Sequence, residues 1–519
     1  MPAFSSLRSF ALAAVLALSG CAVLPGDVDR PVSHATVDPS TTTLGRIAAA
    51  SVPPGAQALS GFRLLPEGDD AFEARIALIR RAEKSIDAQY YLIADDGTGR
   101  QFLRALADAA RRGVRVRVLV DDLYTTRQDT LFAALSAQPG FEVRLFNPLP
   151  ARSGGFAARV ALSAHEFARI NHRMHNKLLI VDGSFAVTGG RNIADEYFDR
   201  DDAAHFIDMD LLSSGPLVAS LAALFDEFWN SPSSYPAHAL IHADGAAEAS
   251  ALAALHADGA ASADDTWPLA SDGPLAAELA GGRLAQRFAP ARLVADTPAR
   301  IRDDAAQGDG PVMRAHLELL AAARSSVVFA TPYFVPGPAG LATLRHARER
   351  GVRVSVLTNS LATTDEPLVH FGYARYRVGM LRLGVALHEL VPVRAAPDNN
   401  DAQGEDHHGA SLGRLHAKLM IVDGRWLSIG SMNMDRRSAR SNTESAIVID
   451  DPVLAGEVAS FLASDRDAAS YALRLGRRGK RVEWLDPGTK SVLDAEPRPF
   501  GGPGLKPRVA SVFVSEELL

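Results

Sequence analysis

Two short stretches of this sequence carry the same residue types at the same spacing. Residues 175–182 read HNKLLIVD and residues 416–423 read HAKLMIVD, so each places a lysine two residues after a histidine and an aspartate five residues after the lysine. The apolar residues between lysine and aspartate predict a buried strand, in which residues i and i+2 share a face. The histidine and lysine of each copy therefore face the same way. The two sets are His175, Lys177 and Asp182, and His416, Lys418 and Asp423.

An asparagine follows each histidine at an equal distance. Asn192 and Asn433 each lie 17 residues after their histidine, beyond a predicted hairpin. Just before them, Ser431 of the second copy supplies a hydroxyl where the first copy has Gly190. Amide, hydroxyl and ammonium groups all donate hydrogen bonds to phosphate oxygens. We therefore predict that Asn192, Asn433 and Ser431 bind phosphate.

Two histidines, two lysines and two asparagines around one centre suit the chemistry of a phosphodiester. One imidazole attacks phosphorus and forms a phosphoramidate, while the other protonates the leaving oxygen and then deprotonates the incoming alcohol or water. The lysine and asparagine groups balance the charge on the non-bridging oxygens. This reaction requires neither a metal nor an organic cofactor, and we expect none.

The second nitrogen of each imidazole needs an acceptor that fixes the ring. Glu444 lies in RSNTESAIVIDDP, and its counterpart by offset is Asp208, in HFIDMDLLSSGP. We predict that Asp208 and Glu444 orient the histidines, with Asp210 as a competitor in the first half. The alternative is that these are surface carboxylates at the edge of a strand.

The motif aspartates have two interpretations. Asp182 and Asp423 are grouped with the catalytic residues because they belong to the repeated pattern. Each also lies at the predicted hairpin turn, directly before a glycine. A structural role at the turn is at least as consistent with the sequence as a direct role in the reaction.

The two motifs are embedded in a longer repeat. An amphipathic helix and a strand at 74–93, followed by a second helix, a glycine and an alternating strand at 101–122, recur at 313–335 and 340–360. Helices alternating with strands indicate α/β units with a parallel or mixed sheet. We predict two tandem α/β domains with mixed sheets flanked by helices, related by a pseudo-twofold axis, with the active site between them.

Composition limits the function classes. With 519 residues the chain is too long for a single core. The single cysteine excludes an internal disulfide, and the net charge of −7 disfavours a general polyanion-binding role, so no nucleic acid partner is expected.

The predicted boundaries are a signal peptide at 1–20, a flexible tether at 21–56, a first domain at 57–238, an Ala-rich connecting segment at 239–300, a second domain at 301–470, and a basic C-terminal segment and tail at 471–519.

The N-terminus has the pattern of a secretory signal. Arg8 precedes an apolar run at 10–18, which is too short to span a bilayer, and the run ends in Leu-Ser-Gly before Cys21. This ending resembles the bacterial lipobox, in which the cysteine becomes the lipidated N-terminal residue. We predict lipidation of Cys21, and the alternative is a plain signal peptide with an incidental cysteine.

The duplicated H-x-K-x-x-x-x-D pattern resembles the signature of the phospholipase D superfamily, over roughly residues 60–485. Further stretches, among them RVRVLVDDLYT, NHRMHNK, GGRNIADEYF and GRLHAK, resemble the bacterial C-type cardiolipin synthases. The resemblance implies a phosphatidyltransferase that makes cardiolipin from phospholipids through a covalent phosphohistidine, with phosphatidylglycerol and also phosphatidylethanolamine as candidate substrates. It implies His175 as the nucleophile and His416 as the acid/base.

Other functions remain open at this point. Water could replace the lipid alcohol, which would make the chain a hydrolase of the phospholipase D type. A nucleic-acid phosphodiesterase and a non-catalytic lipoprotein scaffold fit the charge and the intact motifs less well. The signal and Cys21 predict a location in the bacterial cell envelope, facing the periplasm and anchored by lipid to the inner or outer membrane.

Overall fold

A computed structural model of the chain shows two α/β halves, each built on one large mixed sheet flanked by helices. This confirms the predicted fold class. The structure describes residues 23–35, 38–201, 204–257, 273–302, 308–392 and 412–498.

Nine strands form the first sheet. The strands up to the end of this sheet, in chain order, are β1 Ser60–Leu65, β2 Ser85–Tyr90, β3 Arg115–Asp121, β4 Phe141–Phe146, β5 Leu178–Val181, β6 Phe185–Gly189, β7 Ala204–Ile207, β8 Asp210–Ser214, β9 Ser234–Pro236 and β10 Arg287–Ala289. Their order in the sheet is β10-β1-β8-β6-β5-β2-β3-β4-β9, and β7 lies outside it.

Ten strands form the second sheet. The remaining strands are β11 Ala291–Ala295, β12 Ser326–Ala330, β13 Arg353–Asn359, β14 Ala386–Leu390, β15 Leu412–Leu415, β16 Leu419–Val422, β17 Trp426–Gly430, β18 Ser445–Asp450, β19 Ser470–Leu475, β20 Val482–Leu485 and β21 Val492–Leu493. Their order is β11-β18-β17-β16-β12-β13-β14-β19-β20-β21. The separate strand β15 pairs in parallel with β7, so a two-stranded sheet joins the two halves.

Helices cover both sheets. In chain order they are α1 Thr43–Ser51, α2 Gly68–Arg81, α3 Gly97–Arg111, α4 Asp129–Ser136, α5 Phe156–Leu162, α6 Phe167–Ile170, α7 Pro216–Trp229, α8 Ala237–Leu240, α9 Gly245–Ala257, α10 Pro274–Ala280, α11 Pro311–Ala322, α12 Gly337–Glu349, α13 Pro367–Ala374, α14 Arg377–Arg382, α15 Arg436–Arg440 and α16 Pro452–Ala469.

The repeat in the sequence becomes a repeat in strand pairing. In the first half β2, β3 and β4 are parallel and β5 runs antiparallel to β2. In the second half β12, β13 and β14 are parallel and β16 runs antiparallel to β12. Helices α3 and α12 each end in a glycine with positive φ, +92° at Gly113 and +83° at Gly351. A residue without Cβ adopts this conformation easily, which turns the chain from helix to strand.

The hydrophobic core has three main layers. One packs α2 and α3 on the outer face of the first sheet, and another packs α11 and α12 on the outer face of the second. The middle layer contains α7, α16 and residues from both sheets, including Leu178 and Leu419, which follow the two motif lysines. The halves therefore share one apolar core next to the motifs, and this core fixes their relative position.

The N-terminal segment expected to be a flexible tether lies against the first half wherever the structure describes it. Arg30 Nε donates to Ser234 O at 3.2 Å, and the backbone N–H of Ala35 donates to Asp226 at 2.8 Å. Thr42 caps α1, which buries Leu44 and Ile47. Tertiary contacts therefore override the Pro/Ser/Thr-rich composition. The signal segment and Cys21 lie outside the described residues.

The segment between the halves contains sheet structure. Strands β10 and β11 are separated only by Pro290, yet β10 joins the first sheet through β1 and β11 joins the second through β18. The C-terminal segment adds β19, β20 and β21 to the edge of the second sheet. These strands extend both sheets beyond the repeated unit.

Candidate active site

The motif histidines and lysines lie in extended chain directly before β5 and β16, rather than inside those strands. Strands β5 and β6 form an antiparallel hairpin, and so do β16 and β17, as the Asp-Gly turns predict. The reacting groups of both motifs therefore stand at one end of a rigid hairpin. All four side chains are buried, with His175 the most exposed at 8%.

Each histidine is oriented by a carboxylate from the other half of the chain. Nδ1 of His175 lies 2.9 Å from Oε2 of Glu444, and Nδ1 of His416 lies 2.6 Å from Oδ2 of Asp208. This arrangement leaves Nε2 of both imidazoles for the reaction. The structure thus brings Asp208 and Glu444 to the histidines, but in a crossed pattern.

Backbone pairing across the halves produces the crossing. The N–H of His175 donates to Thr443 O at 3.0 Å, directly before Glu444. The N–H of His416 donates to Ile207 O at 2.8 Å, directly before Asp208. The two halves therefore exchange equivalent strand-like contacts, and the acceptor that follows each contact meets the neighbouring imidazole.

Burial keeps both imidazoles neutral. It lowers the pKa of His416 to about 4, with the nearby charge of Lys418 acting in the same direction and Asp208 acting against both. Burial, followed by the charges of Lys177 and Lys418, holds the pKa of His175 well below its usual range. A neutral imidazole is the form that can attack phosphorus or accept a proton.

The two orienting carboxylates differ in charge state. Burial raises the pKa of Glu444 to about 7, although Lys177 and the Ser431 hydroxyl act in the opposite direction. Burial also acts to raise the pKa of Asp208, but the hydrogen bond from His416 and the surrounding cations bring it down to about 2. Asp208 is therefore ionised at neutral pH, whereas Glu444 titrates there.

Both motif lysines are buried beside their histidines. Nζ of Lys177 donates to His175 O at 2.7 Å, and Nζ of Lys418 lies 2.8 Å from Nδ1 of His416. Burial lowers the pKa of Lys418 to about 8 and that of Lys177 well below its usual range. Each lysine also feels the charge of Asp208 and Glu444, so the two motifs share one electrostatic centre. An anionic phosphate there would favour the charged form of both lysines.

The two asparagines have matching unsatisfied groups. Within the described residues, the amide oxygens of Asn192 and Asn433 are buried and have no hydrogen-bond partner. Nδ2 of Asn192 donates to the hydroxyl of Tyr197 at 2.8 Å. A buried amide without a full set of partners is costly unless a ligand completes it. An amide oxygen only accepts, so these two atoms suit a substrate hydroxyl, and a phosphate oxygen would be bound by the Nδ2 groups.

Ser431 has a different partner from the phosphate predicted for it. Its hydroxyl donates to Glu444 Oε2 at 2.5 Å and accepts from the N–H of Ser445 at 3.1 Å. At the equivalent Gly190, an added Cβ would lie 2.3 Å from Oδ1 of Asp208. The Asp208 carboxylate therefore occupies the space that the Ser431 side chain fills in the other half.

The motif aspartates lie at the far ends of β5 and β16, about 16 Å from the lysines at 3.3 Å per residue. The Asp182 carboxylate accepts from the backbone N–H groups of Lys84 at 2.8 Å and Ser85 at 3.0 Å, and Asp423 accepts from Ser325 at 2.7 Å. Both residues have positive φ, +52° and +55°. This placement favours the structural role that the sequence left open, because both residues tie their hairpin to the chain that enters β2 or β12.

Asp210, the alternative partner in the first half, does not contact a histidine. It is fully buried and forms an ion pair with Arg75 at 2.8 Å. Asp208 and Asp210 lie two residues apart, but Asp208 comes before β8 and Asp210 begins it. The bend between them separates the two carboxylates.

Aromatic residues that the motif does not include complete the centre. Tyr91 lies edge-on to His175 with ring centroids 5.1 Å apart, and Tyr197 lies edge-on to His416 at 5.0 Å. A row of contacts continues outward from Tyr91 to Tyr124 at 5.5 Å and then to Phe156 at 5.7 Å. Tyr91 could have been found from the sequence by its position directly after β2, because β2 neighbours β5, the strand that follows the first motif.

Two kinds of feature do not occur among the described residues. No group of three or more His, Cys, Asp and Glu side chains in those ranges is arranged to hold a metal ion. Nor do they include a helix with the length and apolar character needed to cross a bilayer.

Comparisons with known proteins agree with this geometry. The family model described as "Cardiolipin synthase, PLD-like domain" matches the chain twice, at residues 76–229 and 316–466. The chain is similar to cardiolipin synthase C of Escherichia coli, with 36% identity over 91% of this chain and 100% of that protein. It is also similar to a cardiolipin synthase A of Pseudomonas fluorescens, with 28% identity over 82% of this chain and 72% of that protein.

A solved structure shares the fold. The phosphatidylserine synthase of Haemophilus influenzae superposes with a TM-score of 0.53 and 14% identity, covering 81% of this chain and 90% of that one. Both matched segments of the family model contain one histidine–lysine motif and one orienting carboxylate. The chain therefore belongs to the phospholipase D superfamily, in the family of cardiolipin synthase PLD-like domains.

Proposed function

We propose that this chain is a phosphatidyltransferase that makes cardiolipin from phospholipids through a phosphohistidine intermediate. The observation that carries the proposal is the pair of buried, crossed histidine–carboxylate contacts, each with the lysine of its motif beside it. Similarity to cardiolipin synthases over nearly the whole chain supports the same function. Phospholipids are accordingly the substrate class.

His175 is the proposed nucleophile. Burial and the neighbouring lysine charges hold its pKa well below the usual range, and its partner Glu444 is the carboxylate with the raised pKa. Nε2 of His175 attacks the phosphorus of a phosphatidylglycerol, and the bond from phosphorus to the glycerol headgroup oxygen breaks. Lys177, Lys418, Asn192 and Asn433 bind the non-bridging oxygens and stabilise their charge.

His416 is the proposed acid/base. Its partner Asp208 remains ionised, with a pKa of about 2, and so stabilises the imidazolium form. Binding of the anionic phosphate favours uptake of a proton from solvent by the neutral His416, which then donates that proton to the oxygen of the leaving glycerol. The neutral imidazole then takes a proton from the hydroxyl of a second phosphatidylglycerol, whose oxygen displaces His175 from phosphorus. Phosphatidylethanolamine is the alternative donor.

Three exposed aromatic residues of the first half support a lipid substrate. Tyr124, Phe156 and Phe167 are 46%, 44% and 54% exposed, and all three lie in the segment between β3 and β5. Exposed aromatics of this kind favour the interface between water and a bilayer. The row from Phe156 through Tyr124 to Tyr91 offers apolar contact between that interface and His175.

The location is also part of the proposal. We infer lipid attachment at Cys21 after removal of residues 1–20, with the site facing the periplasm and the anchor in the inner or outer membrane. The sequence pattern Leu-Ser-Gly-Cys supports this attachment, and two or more acyl chains give stable anchoring. Mass spectrometry of the mature N-terminus tests it, and an unmodified Cys21 would contradict the lipid anchor.

Expression in cells that lack cardiolipin tests the activity. The wild-type chain should restore cardiolipin, and His175→Ala and His416→Ala should not. Phosphatidic acid formed without cardiolipin would identify a hydrolase in place of a transferase. Unchanged lipid synthesis by both variants would contradict the mechanism.

A further inference from the structure

An apolar cavity lies on the outer side of the second sheet, between α11, α12 and the chain that follows Asn433. Its enclosed volume is about 130 Å³, within a wider recess that opens to solvent. Its interior is lined by Met313, Leu317, Leu320, Phe329, Phe334 and Leu344. The apolar lining is typical of sites that bind apolar groups, and the enclosed volume admits a short stretch of chain rather than a whole ligand.

The equivalent region of the first half is filled by aromatic rings. Phe72 and Phe198 pack with ring centroids 5.1 Å apart, and Phe102 packs edge-on to Tyr90 at 5.6 Å. All three phenylalanines are completely buried. The equivalent positions in the second half, at offsets of 241, 241 and 238 residues, are Met313, Ala439 and Gly340. Three rings are thus replaced by smaller side chains, and the space they would occupy is the cavity.

Part of the cavity lining directly follows Asn433, one of the residues predicted to bind phosphate. Asn433 is followed directly by Met434 and Asp435, which line the cavity. Met434 also pairs with the opposite wall, where the N–H of Val335 donates to Met434 O at 2.8 Å. One short segment therefore presents an amide to the catalytic centre and a thioether to the cavity.

The mouth of the cavity is charged. Arg440 Nε donates to Asp309 Oδ1 at 3.2 Å, and both residues are at the lining's polar end. The side chain of Arg440 is 44% exposed. An apolar interior with a charged rim matches an amphiphile whose chain enters and whose polar end stays outside.

We propose that this cavity binds part of one acyl chain of the phospholipid substrate. The proposal rests on the proposed function, because that function places a phospholipid phosphate at the neighbouring histidines. An unbranched chain fits between the methionine, leucine and phenylalanine side chains, and each methylene removed from water strengthens binding by about fourfold. The second half would then recognise acyl chains, which the packed first half cannot admit at the equivalent place.

Crosslinking of the full-length protein tests occupancy directly. The probe is a phosphatidylglycerol with a photoreactive diazirine in the middle of one acyl chain, presented in mixed vesicles. Crosslinked peptides from α12 or from the segment around Met434 and Ala439 are expected. Crosslinks confined to other parts of the chain would overturn the proposal, and so would labelling of the cavity by a photoreactive free fatty acid alone.

Filling the cavity with the residues of the first half tests its effect on turnover. Ala439→Phe and Met313→Phe should each raise KM for a long-chain phosphatidylglycerol by about tenfold. The same variants should leave cleavage of a soluble phosphodiester, bis-p-nitrophenyl phosphate, within twofold of wild type. Ala342→Phe is the matched control, since Ala342 lies on the exposed face of α12.

The two substrates separate this proposal from the proposed function. Unchanged KM for the long-chain lipid in both filling variants overturns the acyl site, whatever the activity. Equal loss on both substrates also overturns it, because the substitutions then act on the catalytic centre. Absence of cardiolipin from the wild-type reaction, with correct crosslinks in the cavity, contradicts the transferase function and leaves the acyl site supported.

Discussion

The two halves of the chain present the same histidine–carboxylate contact with different chemistry. His416 faces the short Asp208 and His175 faces the longer Glu444. Gly190 makes room for the first carboxylate, whereas Ser431 donates a hydrogen bond to the second. The backbone contacts are thus equivalent in the two halves, whereas each carboxylate and the residue packed beside it differ together. This divergence can give one imidazole the role of nucleophile and the other that of acid.

Substitution of either motif histidine should have the largest effect on kcat. His175→Ala and His416→Ala should both lower kcat for lipid transfer by about 10⁴-fold, because nucleophile and acid are each needed. With a phosphodiester that has an activated leaving group, His416→Ala should still form a phosphoenzyme, since that leaving group needs no proton. Acid-quench isolation of labelled protein measures this.

His175→Ala is the control for that experiment. It should give no phosphoenzyme with the same activated substrate. Labelling of His175→Ala but not of His416→Ala would reverse the assignment of the two roles.

Exchange of the residues beside the carboxylates should have the next largest effect. Gly190→Ser places a Cβ 2.3 Å from Asp208 Oδ1 and should displace that carboxylate, lowering kcat/KM about 100-fold. Ser431→Gly removes only one hydrogen bond to Glu444 and should cost about tenfold. Steady-state kinetics on a soluble phosphodiester compares them.

The order of the two effects is the informative result. A larger loss in Ser431→Gly than in Gly190→Ser would mean that the serine hydroxyl contacts substrate, as the sequence predicted. Thermal melting of both variants monitors folding, because a displaced buried carboxylate also destabilises the chain.

A smaller difference between the halves is expected in the pH dependence of kcat/KM. In the free enzyme, Glu444 with a pKa of about 7 must lose its proton to accept from His175, so kcat/KM should rise through about pH 7. Lys418 with a pKa of about 8 must keep its proton to stabilise phosphate oxygens, so kcat/KM should fall through about pH 8. Initial rates at low substrate concentration between pH 5 and 10 measure both limbs.

Two variants assign the limbs. Glu444→Gln should remove the acidic limb, and Lys418→Arg should move the basic limb upward because a guanidinium stays charged. Retention of the fall near pH 8 in Lys418→Arg would assign that limb to another group.

The smallest effect on turnover is expected at the motif aspartates. Asp182→Asn should lower stability by about 2 kcal/mol, because its buried carboxylate accepts from three successive backbone N–H groups, of Glu83, Lys84 and Ser85. Asp423→Asn should lower it less, since its partners Arg324 and Ser325 are exposed. Thermal melting measures the difference.

Activity decides whether these aspartates take part in the reaction. At a temperature where both variants are folded, kcat for the soluble phosphodiester should stay within twofold of wild type. A loss of 100-fold or more in a folded variant would restore them to the catalytic group.

Local sequence patterns predicted the fold well because the repeated elements are locally determined. Amphipathic helices, the terminal Gly113 and Gly351, and the Asp-Gly turns each define their own conformation. The motif spacing also identified the histidines and lysines that the structure brings together. The tether at 21–56 was the exception, because contacts such as Arg30 to Ser234 depend on residues far away in the chain.

The details of the site depend on contacts across long sequence separations. His175 and Glu444 are 269 residues apart, and His416 and Asp208 are 208 apart, so no local periodicity encodes which carboxylate meets which ring. The same holds for Tyr91 and for the Ser431 hydroxyl, whose partners follow from how the halves dock. The offset between equivalent residues identified the two carboxylates that the structure places beside the histidines, and only the packed structure shows that they are exchanged.

The crossed contacts also govern when the protein can first act. During synthesis the N-terminal half emerges with His175 in place, but Glu444 is still hundreds of residues away from being made. His416 likewise cannot form its hydrogen bond with Asp208 until the second half has docked on the first. A truncated chain that lacks the second half therefore has no carboxylate to orient His175. Reaction with phosphodiesters therefore requires both halves to be folded together. An incomplete chain would then not cleave the surrounding lipids.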